Sequence, residues 1–352
     1  MVVLYVLIIL NVLTMLRVGV IGVGAMGQNH ARIYSEMGNL VGVYDALPAS
    51  AKQVAKRLGT ADYGSLEELL HEVDAVSICT PTTSHFGVAQ KAVRLGKAAL
   101  VEKPFTGDEI QARKLCELAE ENKVTLAAGF VERFNPVVKT VKDMLAAGSL
   151  GLLVSIASRR VSAFPKRIRD VGVIKDLAIH DVDVIRYVTG LEVRSIYALG
   201  GRTNGTQFED HANFLMEMDG GAIGTIEVNW LTPMKVRHVS LTCSSCFAQM
   251  DYTDQSLEFS SSHLHDIDPA DMSQIPLELD VRHVFVKREE PLKRELEAFV
   301  HAAEMSDKAV VDGWDALANL KICDAALMSL TYGRQVDISE PKIMREPLLT
   351  YA

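Results

Sequence analysis

Residues 17–27, RVGVIGVGAMG, constrain the chain more than any other stretch. A short apolar run ends in Gly22-Val23-Gly24-Ala25-Met26-Gly27, and a segment of helical character follows to about Met37. A continuous apolar run bounded by glycine reads as a strand buried on both faces, and the helix after it makes a strand–turn–helix unit. Gly22 and Gly24 permit a tight turn and close approach of a pyrophosphate to the helix N-terminus, where Ala25 and Met26 also lie. Gly27 lets the helix pack on the sheet. NLVGVYD (39–45) reads as the second strand, and Asp45 stands 18 residues beyond Gly27. A carboxylate there accepts from an adenosine ribose 2′-hydroxyl and repels a 2′-phosphate, and no arginine follows it in YDALPAS, so NAD is expected over NADP. The competing reading is a glycine-rich turn that holds no nucleotide.

The same rhythm continues. ALPASAKQVAKRLG reads as a helix closed by Gly59, and SLEELLHE as one capped by Ser65 with Glu68 in the capping-box position. VDAVSICTP, AALVEKP and VTLAAGFVERF (124–134) read as strands, with helices over 84–96 and 106–123 between them. Such alternation predicts a doubly wound parallel sheet. After about residue 150 longer strand-like runs follow, at 151–161, 192–200, 208–218, 222–230 and 236–243, predicting an open, mostly antiparallel sheet. Residues 260–276 read as an exposed loop, with His263 and His265 solvated, and two helices close the chain before Gly333. A length of 352 residues suits two domains. The expected division is 15–135 for the α/β domain and 136–352 for an α+β domain, after an apolar extension over 1–14.

That extension belongs to MVVLYVLIILNVLTML, which carries no preceding Lys or Arg and no small-residue cleavage site. It is short of the about 20 residues that a bilayer needs. The expectation is an upstream start codon with Met15 as the physiological start, a membrane anchor being the alternative. A net charge of −9 without a dense basic cluster argues against nucleic acid. Five cysteines form a sparse, odd set, which suggests reduced thiols in a cytoplasm. Cys243 and Cys246 form a C-x-x-C with no second pair to complete a zinc site, and no metal is expected.

KDLAIHD (175–181) puts Asp176 and His180 four residues apart, on one face of a helix. A carboxylate beside an imidazole orients the ring and raises its basicity. The plainer reading is a first-turn aspartate and a core histidine, and the heptapeptide alone leaves both open.

CTPTTSHFGVAQKAVRLGKAALVEKPF, followed by GFVERFNP, GVIKDLAIHD and PLKRELEAF, carries a resemblance from Arg17 to about Ile338. In these blocks the chain resembles the glucose–fructose oxidoreductase, inositol dehydrogenase and rhizopine-catabolism superfamily. The resemblance implies a Rossmann domain, then an α+β domain whose open sheet forms dimer or tetramer interfaces. It implies cofactor contacts at Thr80, Pro81, Thr83, His85, Glu102 and Lys103. It also implies Lys103 beside nicotinamide and substrate, His180 as general base and Asp176 as its partner. Oxidising a secondary alcohol needs one group to take the hydroxyl proton, and a lysine near a positive nicotinamide ring is suited to share that role.

GVIKDLAIHDVDVIRYVTG with GFVERFNPVV is most similar to the nucleotide-sugar branch, the UDP-N-acetylglucosamine 3-dehydrogenases. Such enzymes make a 3-keto sugar that a PLP-dependent aminotransferase can aminate. Substrate contacts are then expected at Arg133 and Asn135, and at Arg160 and Arg167 within a basic run that includes Arg159, Lys166 and Arg169 and that equally suits a solvated loop. Many relatives carry glycine where Ala178 stands. The alternatives are a dehydrogenase of a free sugar or inositol, and a non-catalytic NAD-binding regulator. A regulator has no need to keep Lys103, Asp176 and His180 together.

Overall fold

Four-residue strands with every side chain buried require cover on both faces, and β1 (Val18–Ile21) is such a strand. The computed structural model describes residues 15–165, 171–205, 207–264 and 277–338. These divide into two units, one formed by residues up to Gly129 with Leu292–Ala316, the other by Phe130–Pro291 with the chain from Leu317. The expected boundary at 135 thus moves back to 129, and a later segment joins the first unit.

In the first unit β1 is followed by α1 (Ala25–Met37), β2 (Leu40–Tyr44), α2 (Pro48–Leu58), β3 (Ala61–Asp62) and α3 (Leu66–Glu72). β4 (Ala75–Ile78), α4 (Thr82–Arg94), β5 (Ala98–Glu102), α5 (Glu109–Asn122) and β6 (Leu126–Gly129) complete the alternation. The six strands are parallel in the order β3-β2-β1-β4-β5-β6, which reverses direction at β1 and β4. That order is the doubly wound dinucleotide arrangement, with its crevice at the carboxyl ends of the two central strands. Ser65 caps α3 by accepting from the Glu68 N–H at 3.2 Å. The Glu68 carboxylate takes the Gly64 N–H at 3.1 Å, one residue earlier than a capping box requires. Residues expected as one strand over 124–134 form β6 and then a 3₁₀ turn, Val131–Phe134.

α8 (Pro291–Met305) returns to this unit because its apolar stripe, Leu292, Leu296, Phe299 and Val300, is buried. Val311 and Asp312 then pair with the edge of β6, where Ala128 N–H donates to the Val311 carbonyl at 3.0 Å. An otherwise open edge is covered in this way.

The second unit holds α6 (Pro136–Ala146), α7 (Ile179–Thr189) and the greater part of α9 (Gly313–Tyr332). Its strands are β7 (Leu153–Ala163), β8 (Val193–Gly201), β9 (His211–Met218), β10 (Ile223–Asn229), β11 (Leu231–Cys243), β12 (Phe247–Asp251), β13 (Ser256–Leu264), β14 (Leu277–Val284) and β15 (Val336–Asp337). They form a nine-stranded sheet in the order β14-β13-β12-β11-β7-β10-β9-β8-β15, antiparallel except between β7 and β10. Along β9, Ala212, Phe214, Met216 and Met218 are buried, while Asn213, Leu215 and Glu217 are exposed. One face is therefore core and the other solvated, and a side chain such as Phe214 contributes about 1.5–3 kcal/mol by its burial. The expected loop over 260–276 begins inside β13, which takes 260–264. His265 and the remainder of that loop lie outside the described residues, as do residues 1–14.

Candidate active site

Glycine at 22 and 27 is enforced by backbone. Gly22 has φ +84°, and a Cβ at Gly27 would meet the Gly22 carbonyl oxygen at 1.8 Å. A Cβ at Gly24 would meet nothing within 4 Å, so the turn opens to solvent there. No side chain caps α1 and no acid lies in its first turn, which leaves the backbone N–H groups of Ala25, Met26 and Gly27 facing outward for an anion. Asp45 holds the turn in position: Oδ2 accepts from the Val23 N–H and Oδ1 from the Leu47 N–H, both at 2.8 Å. A carboxylate has about four acceptor sites, so two remain for a ribose hydroxyl. This cradle fits a dinucleotide.

The carboxyl end of β4 carries Thr80 and Pro81, and Thr83 stands exposed in the first turn of α4. Thr80 Oγ1 is buried with no hydrogen-bond partner among the described residues. Two residues expected against the cofactor have other work. His85 is 1% exposed, with Nδ1 2.8 Å from the Pro104 carbonyl and Nε2 2.7 Å from that of Thr80, so it ties the β4 end to the turn after β5. Glu102 is 7% exposed. Its Oε1 lies 3.0 Å from His30 Nε2, and its Oε2 accepts from the Lys103 N–H at 3.1 Å. Burial raises the Glu102 carboxyl, but the hydrogen bond from His30 and the charges of His30 and Lys103 outweigh it, and the group is held below the ordinary range. Glu102 thereby fixes the backbone of half-buried Lys103 from beneath. His30, at 0% exposure on α1, is a residue that the sequence reading missed; its signal was a polar residue on the apolar face of that helix.

In the second unit, Asp176 lies in a π-helical turn, Ile174–Ala178, that runs directly into α7 at His180. Four residues cover roughly one turn in either geometry, so both side chains keep one face. Single π turns inside helices recur at functional sites. Ala178, in the same turn, is fully buried. The segment is held by Glu209, whose Oε1 accepts from the Ile174 N–H at 3.1 Å. A Cβ at Gly172 would lie 2.1 Å from that carboxylate, so glycine is required for the contact. Phe130, 1% exposed, packs edge-on to His180 with ring centroids 6.4 Å apart.

The cations expected to bind substrate are mostly spent on buried carboxylates. Arg133, 7% exposed, grips Asp183 through Nε and Nη2 at 2.8 and 2.6 Å. Asn135 caps α6 and donates to the Tyr252 carbonyl at 3.1 Å. Arg160, 1% exposed, donates to Asp181 at 2.8 Å and to Glu132 at 3.0 Å. Burial opposes the Arg160 charge, but Asp181 and Glu132 overcome it and keep the guanidinium cationic. Glu132 in turn is raised by burial and pulled further down by Arg160 and Arg237. These contacts of Arg133, Asn135 and Arg160 stiffen the second unit. Arg159 pairs with Glu227 at 2.9 Å on the surface, and Arg167, with Lys166 and Arg169, falls outside the described residues. A further cation, Arg237 on β11, is half-buried and donates to Glu132 at 3.3 Å, and burial with the Arg160 charge holds its guanidinium below the ordinary arginine range although Glu132, Asp181 and Asp176 oppose this. Cys243 and Cys246 close the β11–β12 turn, the Cys243 N–H donating to the Cys246 carbonyl at 2.9 Å. Burial pushes the Cys243 thiol up to about 11, away from thiolate chemistry.

Comparison with known proteins agrees with this fold. Residues 16–130 match the model of an oxidoreductase family with an NAD-binding Rossmann fold, and residues 138–246 match the GFO/IDH/MocA C-terminal domain. The chain is 31% identical over 312 residues to the UDP-N-acetylglucosamine 3-dehydrogenase of Acidithiobacillus ferrooxidans, covering 89% of this chain and 95% of that enzyme. It is 29% identical over 344 residues to the inositol 2-dehydrogenase of Rhizobium meliloti, covering 92% and 99%. Among solved structures, the Acidithiobacillus enzyme superposes with a TM-score of 0.80 at 30% identity, over 90% of this chain and 97% of that one. A levoglucosan dehydrogenase in complex with NADH and levoglucosan gives 0.79 at 18% identity, covering 92% and 98%, a likeness of fold. No helix among the described residues is long and apolar enough to cross a membrane.

Proposed function

Because the chain belongs to the GFO/IDH/MocA oxidoreductase family with its NAD-binding Rossmann fold, we propose that it oxidises the 3-hydroxyl of a UDP-sugar, UDP-N-acetylglucosamine first among them, to the ketone. The observation that carries this reading is the 31% identity to such an enzyme over 95% of its length. NAD, when bound, supplies the acceptor for the hydride that leaves carbon. Gly22, Gly24, Gly27, Ala25 and Met26 would hold its diphosphate, Asp45 its adenosine ribose, and Thr80, Pro81, Thr83 and Lys103 would contact the rest of the dinucleotide.

Lys103 and His180 act on the same hydroxyl, and His180 takes its proton. His180 is the general base, Asp176 orients it, and the Lys103 ammonium polarises the oxygen as it becomes a carbonyl. Glu102, anchored by His30, keeps the lysine backbone still. The ketone would serve a PLP-dependent aminotransferase as acceptor of nitrogen. Five cysteines with no disulfide suit a cytoplasm, and the solvated sheet face suits a homo-oligomer.

A second reading is favoured by the inositol 2-dehydrogenase of Rhizobium meliloti, 29% identical over 99% of its length: a free polyol in place of the nucleotide sugar. One experiment separates the two. Full-length protein with NAD is given UDP-N-acetylglucosamine or myo-inositol, and absorbance at 340 nm is followed, with a 3-aminotransferase and glutamate present to draw off the ketone. The expected result is turnover of the nucleotide sugar alone, reduced by about 10²–10⁴-fold in His180→Asn and Lys103→Met. Turnover of inositol alone overturns the UDP-sugar reading. No turnover of either, with NAD still bound, points to other sugars or to a regulator.

A further inference from the structure

Strand β11 carries a row of side chains that continues past the core. Val239, Leu241 and Cys243 are buried on the helix-covered face, and Arg237 extends the same alternation. In the antiparallel register with β7, Arg237 stands directly opposite Arg160, as Val239 does opposite Ser158. Like charges directly opposite on one sheet face are destabilising, so the pair needs a reason. Between Leu231 and Val236 the register with β7 slips, and Lys235 sits where the strand bulges out.

Two arginines share one carboxylate here. Glu132 Oε1 is shared between Arg160 Nη1 at 3.0 Å and Arg237 Nη1 at 3.3 Å, while Asp181 is taken by Arg160 and Ser158. Asp176, in the π turn before α7, is the third carboxylate whose charge acts on Arg237. Lys235 has no ion-pair partner among the described residues, and the Arg237 charge, with burial, pushes its ammonium below the ordinary lysine range. Behind this edge, Arg160 Nη2 and the Tyr252 hydroxyl are buried with no hydrogen-bond partner among the described residues, the guanidinium lying 5.1 Å over the Tyr252 ring. Arg237 keeps 33% of its side chain exposed, so one edge of its guanidinium is open.

We propose that Arg237 and Lys235, backed by buried Arg160, form the anion subsite of the substrate pocket and take the diphosphate of a nucleotide sugar. A planar guanidinium grips phosphate oxygens in a bidentate way and the neighbouring ammonium adds a point charge, the combination that suits a diphosphate. The assignment moves substrate recognition from the 159–169 run to β11. It rests on the nucleotide-sugar reading for the identity of the ligand, while the subsite itself needs only an anion.

The test uses full-length protein saturated with NAD, so that the dinucleotide cradle is filled, and titrates it calorimetrically with UDP, inorganic pyrophosphate and uridine. Lys235→Met and Arg237→Met are each expected to weaken UDP and pyrophosphate at least tenfold while leaving uridine and NAD affinities unchanged. Lys235 is exposed, so Lys235→Met decides alone if Arg237→Met fails to fold. Wild-type affinity for UDP in Lys235→Met and in a folded Arg237→Met overturns the subsite and leaves the UDP-sugar reading standing. Wild-type protein that binds neither UDP nor pyrophosphate overturns both. Pyrophosphate binding lost in the variants, without oxidation of any UDP-sugar, supports the subsite and moves the substrate to another anionic sugar.

Discussion

At the scale of single residues, His30 and Glu102 form the support beneath Lys103. Removing the imidazole leaves a carboxylate buried with little beyond Lys103 to hold its charge, which costs about 3–5 kcal/mol. The pH dependence tests the assignment more sharply than the loss itself. In the native protein the Glu102 carboxyl lies below its unfolded value of about 4.3, so its contribution is present above that pH and fades as pH falls through the folded value. In His30→Leu the hydrogen bond and charge of His30 no longer oppose burial, already the largest single influence, and burial raises the carboxyl above its unfolded value. Its contribution is then complete below about pH 4.3 and lost as pH rises through the folded value. The difference in Tm between wild type and His30→Leu is therefore expected to widen from pH 4.5 to pH 7.5 in calorimetric scans. A difference that is constant or narrows shows that Glu102 draws its ionisation from elsewhere.

At the scale of elements, Arg160 on β7 joins the 3₁₀ turn at Glu132 to α7 at Asp181, which is 0% exposed. Arg160→Met leaves both carboxylates short of a partner and is expected to cost about 3–5 kcal/mol, a fall in Tm on the order of 10 °C by scanning calorimetry. An additional Asp181→Leu, which removes the orphaned charge, is expected to recover part of that loss, and no recovery would place the cost in packing instead. This network also marks the limit of what the sequence reveals. Gly22, Gly27, Asp45 and Ser65 act through backbone within a few residues or within one strand–turn–helix unit, and their spacing shows in the chain. The alternation in His211–Met218 is equally legible, because a half-buried strand writes its period into its composition. Arg160 finds its partners 21 and 28 residues away, so nothing near it distinguishes a buried cation from one that meets substrate. The π turn at Ile174–Ala178 is invisible for another reason, since it depends on the Glu209 contact across the fold and not on local propensity. α6 is an avoidable omission: Asn135-Pro136 is an N-cap followed by proline at the first helical position.

At the scale of the whole molecule, two consequences follow. The solvated face of the nine-stranded sheet carries Leu199, Leu215 and Ile223, each about half exposed. If this face binds a second copy, Leu215→Glu is expected to lower the mass measured by light scattering toward a single chain without lowering Tm by more than a few degrees. An unchanged mass would exclude that face. The catalytic assignment makes a second demand, because it gives Lys103 and His180 one hydroxyl to act on. Groups that act on the same hydroxyl in one step fail as a set: once one is gone, loss of the second removes little more. Independent groups would instead multiply their losses. The double variant Lys103→Met/His180→Asn is therefore expected to turn over about as slowly as the worse single variant, with NAD affinity unchanged in all three. A residual rate equal to the product of the two single losses would mean that the lysine and the histidine serve different steps.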